Sequence, residues 1–329
     1  MRRRALLAGL PGLALPVGGA LSQPASQSET AWSPSRTIRL IVPWPPAGTT
    51  DIVARLLAPQ LSEALGQPVI IENRAGAAGL IGTEAIVRAE PDGHTFGFII
   101  STHVANAHLV RQHPYHPTRD ITPLIWVVNV SNILVVPNSS PVRTVQEFVE
   151  QGRKSQRPVT FASSGTGTST HFSGEMFRLG TGVPMQHVPY RGGGPALTDV
   201  MAGNVDSMFG NATSTLPHVR GGRLRALAVT AGRRTAHLPD VPTIAETVLP
   251  GFEIAEWYGL IGPRGMPPAA VRRLNEEINR IITRPDMRAR LLDQGAEVVG
   301  GTPDEFGALI VRDLAKYGEV IRAAGITMD

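Results

Sequence analysis

The sequence predicts an α/β fold built from two doubly wound units that are followed by C-terminal helices. Strand-like and helix-like patterns alternate along the chain, the alternation occurs twice, and the last third is helical. The length of 329 residues is also enough for two domains of ordinary size. In such sheets ligands bind outside the carboxyl ends of the strands. The strand-to-helix loops are therefore the segments in which a functional site is expected.

In the first unit, a β-branched run predicts a strand at 36–42, and apolar residues in helical spacing predict a helix at 51–65. Gly66 should end this helix, and Pro59 should kink it. Two more strands are predicted in this unit, at 69–71 and 95–100. This β-α-β order favours a parallel sheet with right-handed crossovers.

The second unit repeats the pattern, and helices follow it. Its predicted elements are a strand at 159–162, a helix at 170–179 and strands at 205–209 and 224–230. In the last third, Pro268 opens one predicted helix. Thr302 and Glu305 form a capping-box pattern that opens another.

The first residues predict export from the cytoplasm. Three arginines at 2–4 precede an apolar stretch at 5–17, which is too short to span a membrane, and small residues follow. We expect a signal peptide at 1–22, exported by the Sec or twin-arginine route, and a flexible N-terminal segment at 23–35. A retained anchor or a surface helix is the alternative for the apolar stretch.

Charge and cysteine content exclude several classes of function. The net charge is +4, and removing the three N-terminal arginines leaves a mature chain near +1. The sequence has no run of five Lys or Arg residues, so it lacks the basic patch typical of nucleic-acid binding. Zero cysteines exclude disulfides, thiol chemistry and zinc–thiolate sites. No second apolar run approaches the length of a membrane span, so the mature protein is expected to be soluble.

Three strand-to-helix loops are rich in small residues: 43–51, 163–170 and 188–195. The first two combine glycine, hydroxyl side chains and a helix start. Backbone N–H groups and the helix dipole at such a start favour an anion. The alternative is that these loops only cap their helices. Neither loop has the Gly-Lys-Ser/Thr of a phosphate-binding loop, so a nucleotide site is not expected.

The sequence disfavours two other chemistries. Ser163, Ser164 and Ser169 lie near His171, but the chain has no Gly-x-Ser-x-Gly elbow, which makes a serine hydrolase a remote alternative. Four histidines, at 103, 108, 113 and 116, lack the spacing of zinc ligands on one helix and are interpreted as part of a solvated connection. We predict no catalytic residue, metal or cofactor.

Seven motifs follow one another along the chain. They are PWPPAGTTD at 43–51, ENRAGAAG at 72–79, PDGHT at 91–95, VPYRG at 188–192, LRALAVT at 224–230, DVPT at 240–243 and EWYGL at 256–260. In sequence and order these motifs resemble those of the Bug family, the extracytoplasmic solute-binding proteins of tripartite tricarboxylate transporters. The resemblance extends from about residue 38 to residue 326.

The resemblance implies a Venus-flytrap, type II-like periplasmic-binding-protein fold with a cleft between two lobes. The first lobe would combine 33–131 with 254–329, and the second would span 132–253. Such a protein is a periplasmic receptor, not an enzyme. It captures a small carboxylate, which is a di- or tricarboxylate, an acidic amino acid or an aromatic acid. The membrane subunits of a transporter would be its partners and it would be a monomer, while a sensor for a signalling partner is the alternative.

The resemblance also implies which residues hold the ligand carboxylate. They are Ala47, Gly48, Thr49, Thr50, Asp51, Ser163, Ser164, Thr166, Thr168 and Ser169. Ala47 and Ala78 stand where the family usually has glycine, and Pro59 is unusual in the first helix. If Ala47 must adopt a positive φ, the cost is about 1 kcal/mol or more, and the loop could be shaped differently.

Overall fold

The structure is a computed structural model that describes residues 32–327. The predicted signal peptide and most of the predicted flexible segment lie outside these residues. The end of that segment is packed, because the Trp32 Nε1–H donates to the Asp92 carbonyl oxygen at 2.9 Å. The Ser35 N–H donates to His94 Nε2 at 3.0 Å. The flexible segment therefore does not extend to Trp32 and Ser35.

Strands and helices alternate through most of the described chain. The strands are β1 (Ile38–Val42), β2 (Val69–Asn73), β3 (Thr95–Ile100), β4 (Ile121–Pro137), β5 (Val159–Ser163), β6 (Met185–Pro189), β7 (Ser207–Asn211), β8 (Leu224–Val229), β9 (Ala255–Pro263) and β10 (Glu297–Val298). The helices are α1 (Thr49–Leu65), α2 (Leu80–Val87), α3 (Thr102–Leu109), α4 (Val145–Lys154), α5 (Ser169–Thr181), α6 (Gly193–Ala202), α7 (Ala212–Arg220), α8 (Ile244–Thr247), α9 (Pro268–Thr283), α10 (Pro285–Asp293) and α11 (Pro303–Ala324).

The sheet contains two triplets of parallel strands, and in each triplet the strand that comes first in the chain lies in the middle. The order is β2-β1-β3-β9-β4-β7-β5-β6, and β8 and β10 also pair with β4. β1 is parallel to β2 and β3, and β5 is parallel to β6 and β7. These triplets confirm the two predicted α/β units. β9 and β4 run antiparallel to their neighbours between the triplets. No strand pattern in the sequence predicted them, but the family resemblance implies two α/β domains joined by crossing strands.

β4 contributes to both halves of the sheet. Its residues from Ile121 to Ser131 pair with β9, and its residues from Asn132 to Pro137 pair with β7 and β8. The change of partner coincides with the predicted lobe boundary at 131/132. The lobe boundaries themselves stay a prediction.

Local sequence signals fix the ends of the helices near the loops of interest. α1 ends as predicted at Gly66, which has φ 68° and donates its N–H to the Ser62 carbonyl oxygen at 3.0 Å. Pro59 lies inside α1, which continues to Leu65. The predicted capping box at the start of α11 is confirmed, since Thr302 and Glu305 exchange both hydrogen bonds. α1 begins at Thr49, two residues earlier than predicted, because Gly48 is its extended N-cap.

One large apolar cluster extends through both halves, since it contains Leu40 and Phe96 of the first and Met208 of the second. A further cluster lies in the second half, where Leu134 of β4 packs with aromatic residues that include Phe161. Within residues 32–327, no helix has both the length and the apolar character needed to cross a membrane.

Candidate functional site

The loops that follow β1, β5 and β6 converge on one cavity of about 150 Å³. This is the carboxyl edge of both parallel triplets, where ligands bind in doubly wound sheets. Six of the ten predicted binding residues line it: Ala47, Gly48, Thr49, Thr50, Ser164 and Thr168. The structure therefore brings the first two predicted loops together.

Asp51 does not line the cavity. Its carboxylate accepts hydrogen bonds from the Ala47 N–H at 3.0 Å, the Asn73 Nδ2–H at 3.0 Å and the Arg55 Nε–H at 2.8 Å. Burial alone would raise the pKa of Asp51, but these hydrogen bonds outweigh burial and lower it. Asp51 thus holds the first loop together, and the prediction that it contacts the ligand does not fit its position.

Ser163, Thr166 and Ser169 also lie outside the cavity lining. Ser163 Oγ is 2.6 Å from His187 Nε2 beneath the loop. Ser169 Oγ faces the amides of Asn132 and Asn211 at 3.4 and 3.5 Å. These hydroxyl groups of the second loop therefore bond to other groups of the protein. This agrees with the alternative that the loop mainly caps its helix.

Thr168 illustrates this capping. Its hydroxyl oxygen accepts the His171 N–H at 3.4 Å and so caps α5. The backbone N–H of Ser169 donates to the Glu256 carboxylate at 3.3 Å. The start of α5 is therefore already supplied with acceptors from within the protein.

The first loop contains a non-glycine residue in the left-handed backbone conformation. Ala47 has φ 64°, so it adopts the left-handed conformation in which the family usually has glycine. Ala77 and Ala78 also have positive φ, at 47° and 51°. Trp44 lines the cavity from the same loop.

The third small-residue loop, at 188–195, contributes no residue to the predicted binding set, yet it forms one wall of the cavity. Arg191, Gly192, Gly193, Gly194 and Pro195 all line the cavity. The sequence signal was present, because glycines before a helix start are what selected the first two loops. The predicted backbone and hydroxyl donors do not include Arg191, which also lines the cavity.

Two helix N-termini face the cavity without a side-chain cap. α1 begins after Gly48 and α6 begins after Gly192. Both N-cap residues are glycines, so no N-cap side chain accepts a hydrogen bond from the first turn of either helix. The first N–H groups of a helix have no partner within the helix. These groups, together with the positive end of each helix dipole, favour an anion in the cavity.

β9 supplies a buried acid at the base of the cavity. Glu256 is 1% exposed, and its carboxylate accepts hydrogen bonds from the backbone N–H of Ser101 at 2.8 Å and from the Ser101 hydroxyl. Burial raises the pKa of Glu256, while the hydrogen bonds from Ser101 and Ser169 partly offset the rise. Sequence reasoning missed this role, because Glu256 lies 155 residues from Ser101.

The charges around the cavity are few. Of the described residues that line it, Arg191 is the one cation and Glu256 the one acid. Tyr258, also on the lining, is fully buried, and both burial and the neighbouring Glu256 raise its pKa. An anion would therefore be attracted by Arg191 and by the helix N-termini.

The arrangement does not support the hydrolase alternative. The Ser163 hydroxyl contacts His187, but it is fully buried beneath the loop and does not reach the cavity. His187 stacks on His171 at 3.8 Å, and burial lowers the pKa of His187 to about 4. Among the hydrogen bonds of the described residues, none joins a carboxylate to His187, so a base oriented by a third group is lacking.

The four histidines at 103, 108, 113 and 116 form hydrogen bonds with backbone groups through their ring nitrogens. The ring nitrogens of His103 and His108 bond to the carbonyl oxygens of Pro117 and Leu314 at 2.8 and 2.7 Å. His103 is buried, which lowers its pKa to about 4, so the predicted solvated connection is wrong for this residue. In residues 32–327, no group of three potential ligands could hold a metal ion.

Comparisons with known proteins agree with this geometry. The family described as tripartite tricarboxylate transporter family receptor matches residues 53–326. The chain is similar to the structure of R. palustris Rpa4515 with adipate, with 36% identity and a TM-score of 0.86 over 89% of this chain and 99% of that one.

Two further solved structures are similar over nearly their whole length. Periplasmic binding protein BugD shares 30% identity with a TM-score of 0.84, over 90% of this chain and 100% of that chain. MatC from Rhodopseudomonas palustris with bound malate shares 32% identity with a TM-score of 0.81, over 88% of this chain and 99% of that chain. These similarities confirm the predicted two-lobe periplasmic-binding-protein fold.

Proposed function

The chain belongs to the tripartite tricarboxylate transporter receptor family, and from this premise we propose that it is a periplasmic solute-binding protein for a small dicarboxylate. The observation that carries this proposal is the meeting of two uncapped helix N-termini and Arg191 at one cavity. Similar proteins with bound adipate and malate support a dicarboxylate as the ligand.

Each carboxylate of such a ligand has a suitable partner. One would accept hydrogen bonds from the start of α1 and the Thr49 and Thr50 hydroxyls. The other would meet the start of α6 and the Arg191 guanidinium, which forms a two-pronged hydrogen bond with a carboxylate. The cavity of about 150 Å³ is smaller than the pockets of about 300–1,000 Å³ that hold drug-sized ligands, which favours a small diacid.

Closure of two lobes would complete the site. We assign 33–131 with 254–329 to one lobe and 132–253 to the other, because β4 changes its pairing partners at the first of these boundaries. The first loop lies on one lobe and the third loop on the other, so a ligand that contacts both favours the closed arrangement.

The closed protein would act as a monomer that delivers its ligand to the membrane subunits of a transporter. Similar proteins are described as periplasmic, which supports this compartment. The family consists of receptors, and the buried Ser163–His187 pair gives no reason to add a hydrolytic activity. We therefore propose binding without chemical conversion.

Isothermal titration of the purified mature protein with adipate, malate and hexanoate tests this function. Arg191→Gln should weaken adipate and malate binding by about tenfold or more, because a hydrogen bond to a charged group is lost. Hexanoate, which has one carboxylate, should bind weakly to both proteins. Arg143→Gln changes an exposed arginine of the second half outside the cavity and is the matched control. If no diacid binds, or if adipate is converted chemically, the proposal is wrong.

A steric variant tests the location. A Cβ added to Gly193 would lie 3.4 Å from Ser164 Oγ and 3.6 Å from Ser214 Oγ, ordinary contact distances to two residues of the cavity lining. Gly193→Leu should therefore fold normally while its side chain occupies the cavity. We expect diacid binding to fall below detection with an unchanged circular dichroism spectrum. Wild-type affinity in this variant would show that the ligand binds elsewhere.

A further inference from the structure

A second concave surface lies away from the ligand cavity and carries unpaired positive charge. It has a volume of about 510 Å³, and its walls come from the segment after β8 and from α10 and β10. The charged residues on it are Arg233, Arg234, Arg288 and Glu297. We call this surface the arginine concavity.

Two of these arginines lack partners. Arg234 pairs with Glu246 at 3.0 Å. For the guanidinium groups of Arg233 and Arg288, the described residues supply neither an ion pair nor a hydrogen bond. The concavity therefore presents two free guanidinium groups against the single carboxylate of Glu297. Such groups bind oxyanions through paired N–H donors.

We propose that the arginine concavity is a second anion site, which takes a small doubly charged oxyanion between Arg233 and Arg288. Sulfate, hydrogen phosphate and a short diacid share the required chemistry. The two guanidinium groups would neutralise the anion and donate hydrogen bonds to its oxygens. The separate lining residues distinguish this site from the ligand cavity.

The walls of the concavity come from both proposed lobes, so an anion bound there would affect lobe closure. β10 pairs with the first part of β4, through Glu297 opposite Asn129. The segment that contains Arg233 follows β8, which pairs with the last part of β4. A bound anion would therefore connect the two lobes. This step rests on the proposed function, and it requires the anion to change the affinity of the cavity for a diacid.

Titration of the ligand-free mature protein with sulfate, at ionic strength held constant with chloride, tests the site directly. We expect saturable binding. The double variant Arg233→Gln/Arg288→Gln should weaken it by about tenfold or more. Arg143→Gln is the control for the removal of an exposed arginine and should bind as the wild type does. Circular dichroism and thermal unfolding check that each variant is folded.

The outcomes separate this inference from the proposed function. Sulfate binding needs no diacid, so failure of adipate to bind would refute the proposed function alone. Absence of saturable sulfate binding, or equal binding by the double variant, would overturn the second site. Loss of sulfate binding in Arg191→Gln instead would place the anion in the ligand cavity and would also overturn it. An unchanged adipate affinity at saturating sulfate would remove the coupling between the sites.

Discussion

Replacement of Asp51 by asparagine should loosen the first loop, because the Asp51 carboxylate holds Ala47 in its positive-φ conformation. One carboxylate oxygen accepts the Ala47 N–H and the Arg55 Nε–H, and the other accepts the Asn73 amide. Asparagine retains one acceptor, which can still serve Asn73. Its amide nitrogen would then face two donors and bond to neither.

The expected loss of stability follows from the Ala47 contact. A hydrogen bond from a buried backbone N–H to a charged acceptor contributes about 1.5–3 kcal/mol, so we expect Asp51→Asn to destabilise the protein by about 2 kcal/mol. Arg55 is mostly exposed and adds little. The Asp51 pKa is lowered by folding. Its stabilising effect is therefore present above the unfolded-state pKa of about 3.9 and is lost as the pH falls through the folded-state pKa.

Ala47→Gly provides the second arm of a double-mutant cycle. Relief of the left-handed conformation gains about 1–2 kcal/mol, and the added chain entropy of glycine costs about 0.5–1 kcal/mol. The single variant should therefore be more stable than the wild type. In the Asp51→Asn background the gain should be smaller, because the loop is already free to leave this conformation.

Urea unfolding at pH 7 and at steps from pH 5 to pH 3 measures both effects, and adipate titration measures the consequence for the site. Asp286→Asn, which alters an exposed pair with Arg284, is the control and should change little. An Asp51→Asn variant as stable as the wild type at pH 7 would refute the reasoning. Additive effects of Asp51→Asn and Ala47→Gly would show that the two residues are not coupled.

Three further predictions concern the fold and the base of the cavity. A Cβ at Gly174 would lie 2.1 Å from the Phe161 ring, so Gly174→Ala should cost about 2–3 kcal/mol in urea unfolding, whereas Gly194→Ala should be tolerated. Equal stability of these two variants would contradict the packing argument. Ala78→Gly should raise the free energy of unfolding by up to about 1 kcal/mol, since φ is 51° there; a loss of stability would contradict this. The pKa of Glu256 is raised by folding, so stability should fall as the pH rises from about 4.3 through the folded-state pKa, and Glu256→Gln should flatten that fall. Parallel pH profiles would show that Glu256 is not responsible.

Many features of the fold could be predicted because their causes are local. Gly66 ends α1 through its own left-handed backbone, and the exchange between Thr302 and Glu305 takes place within one turn. The alternation of elements likewise predicted the two parallel triplets. No local strand pattern predicted β9 and β4, because their place between the triplets depends on pairing between segments more than 100 residues apart. Only the family resemblance implied crossing strands.

For the site, the sequence by itself determined which loops could bind an anion, because glycine before a helix start exposes backbone N–H groups wherever the helix lies. It indicated Gly48, Thr49 and Thr50, and it also contained the signal for Gly192. Tertiary structure alone decided which side chains reach the cavity. Asp51 turns inward to Ala47, while Glu256 reaches the base from a distant strand. The direction of a side chain depends on which partners the fold brings within hydrogen-bonding distance, and those partners lie far away in the sequence.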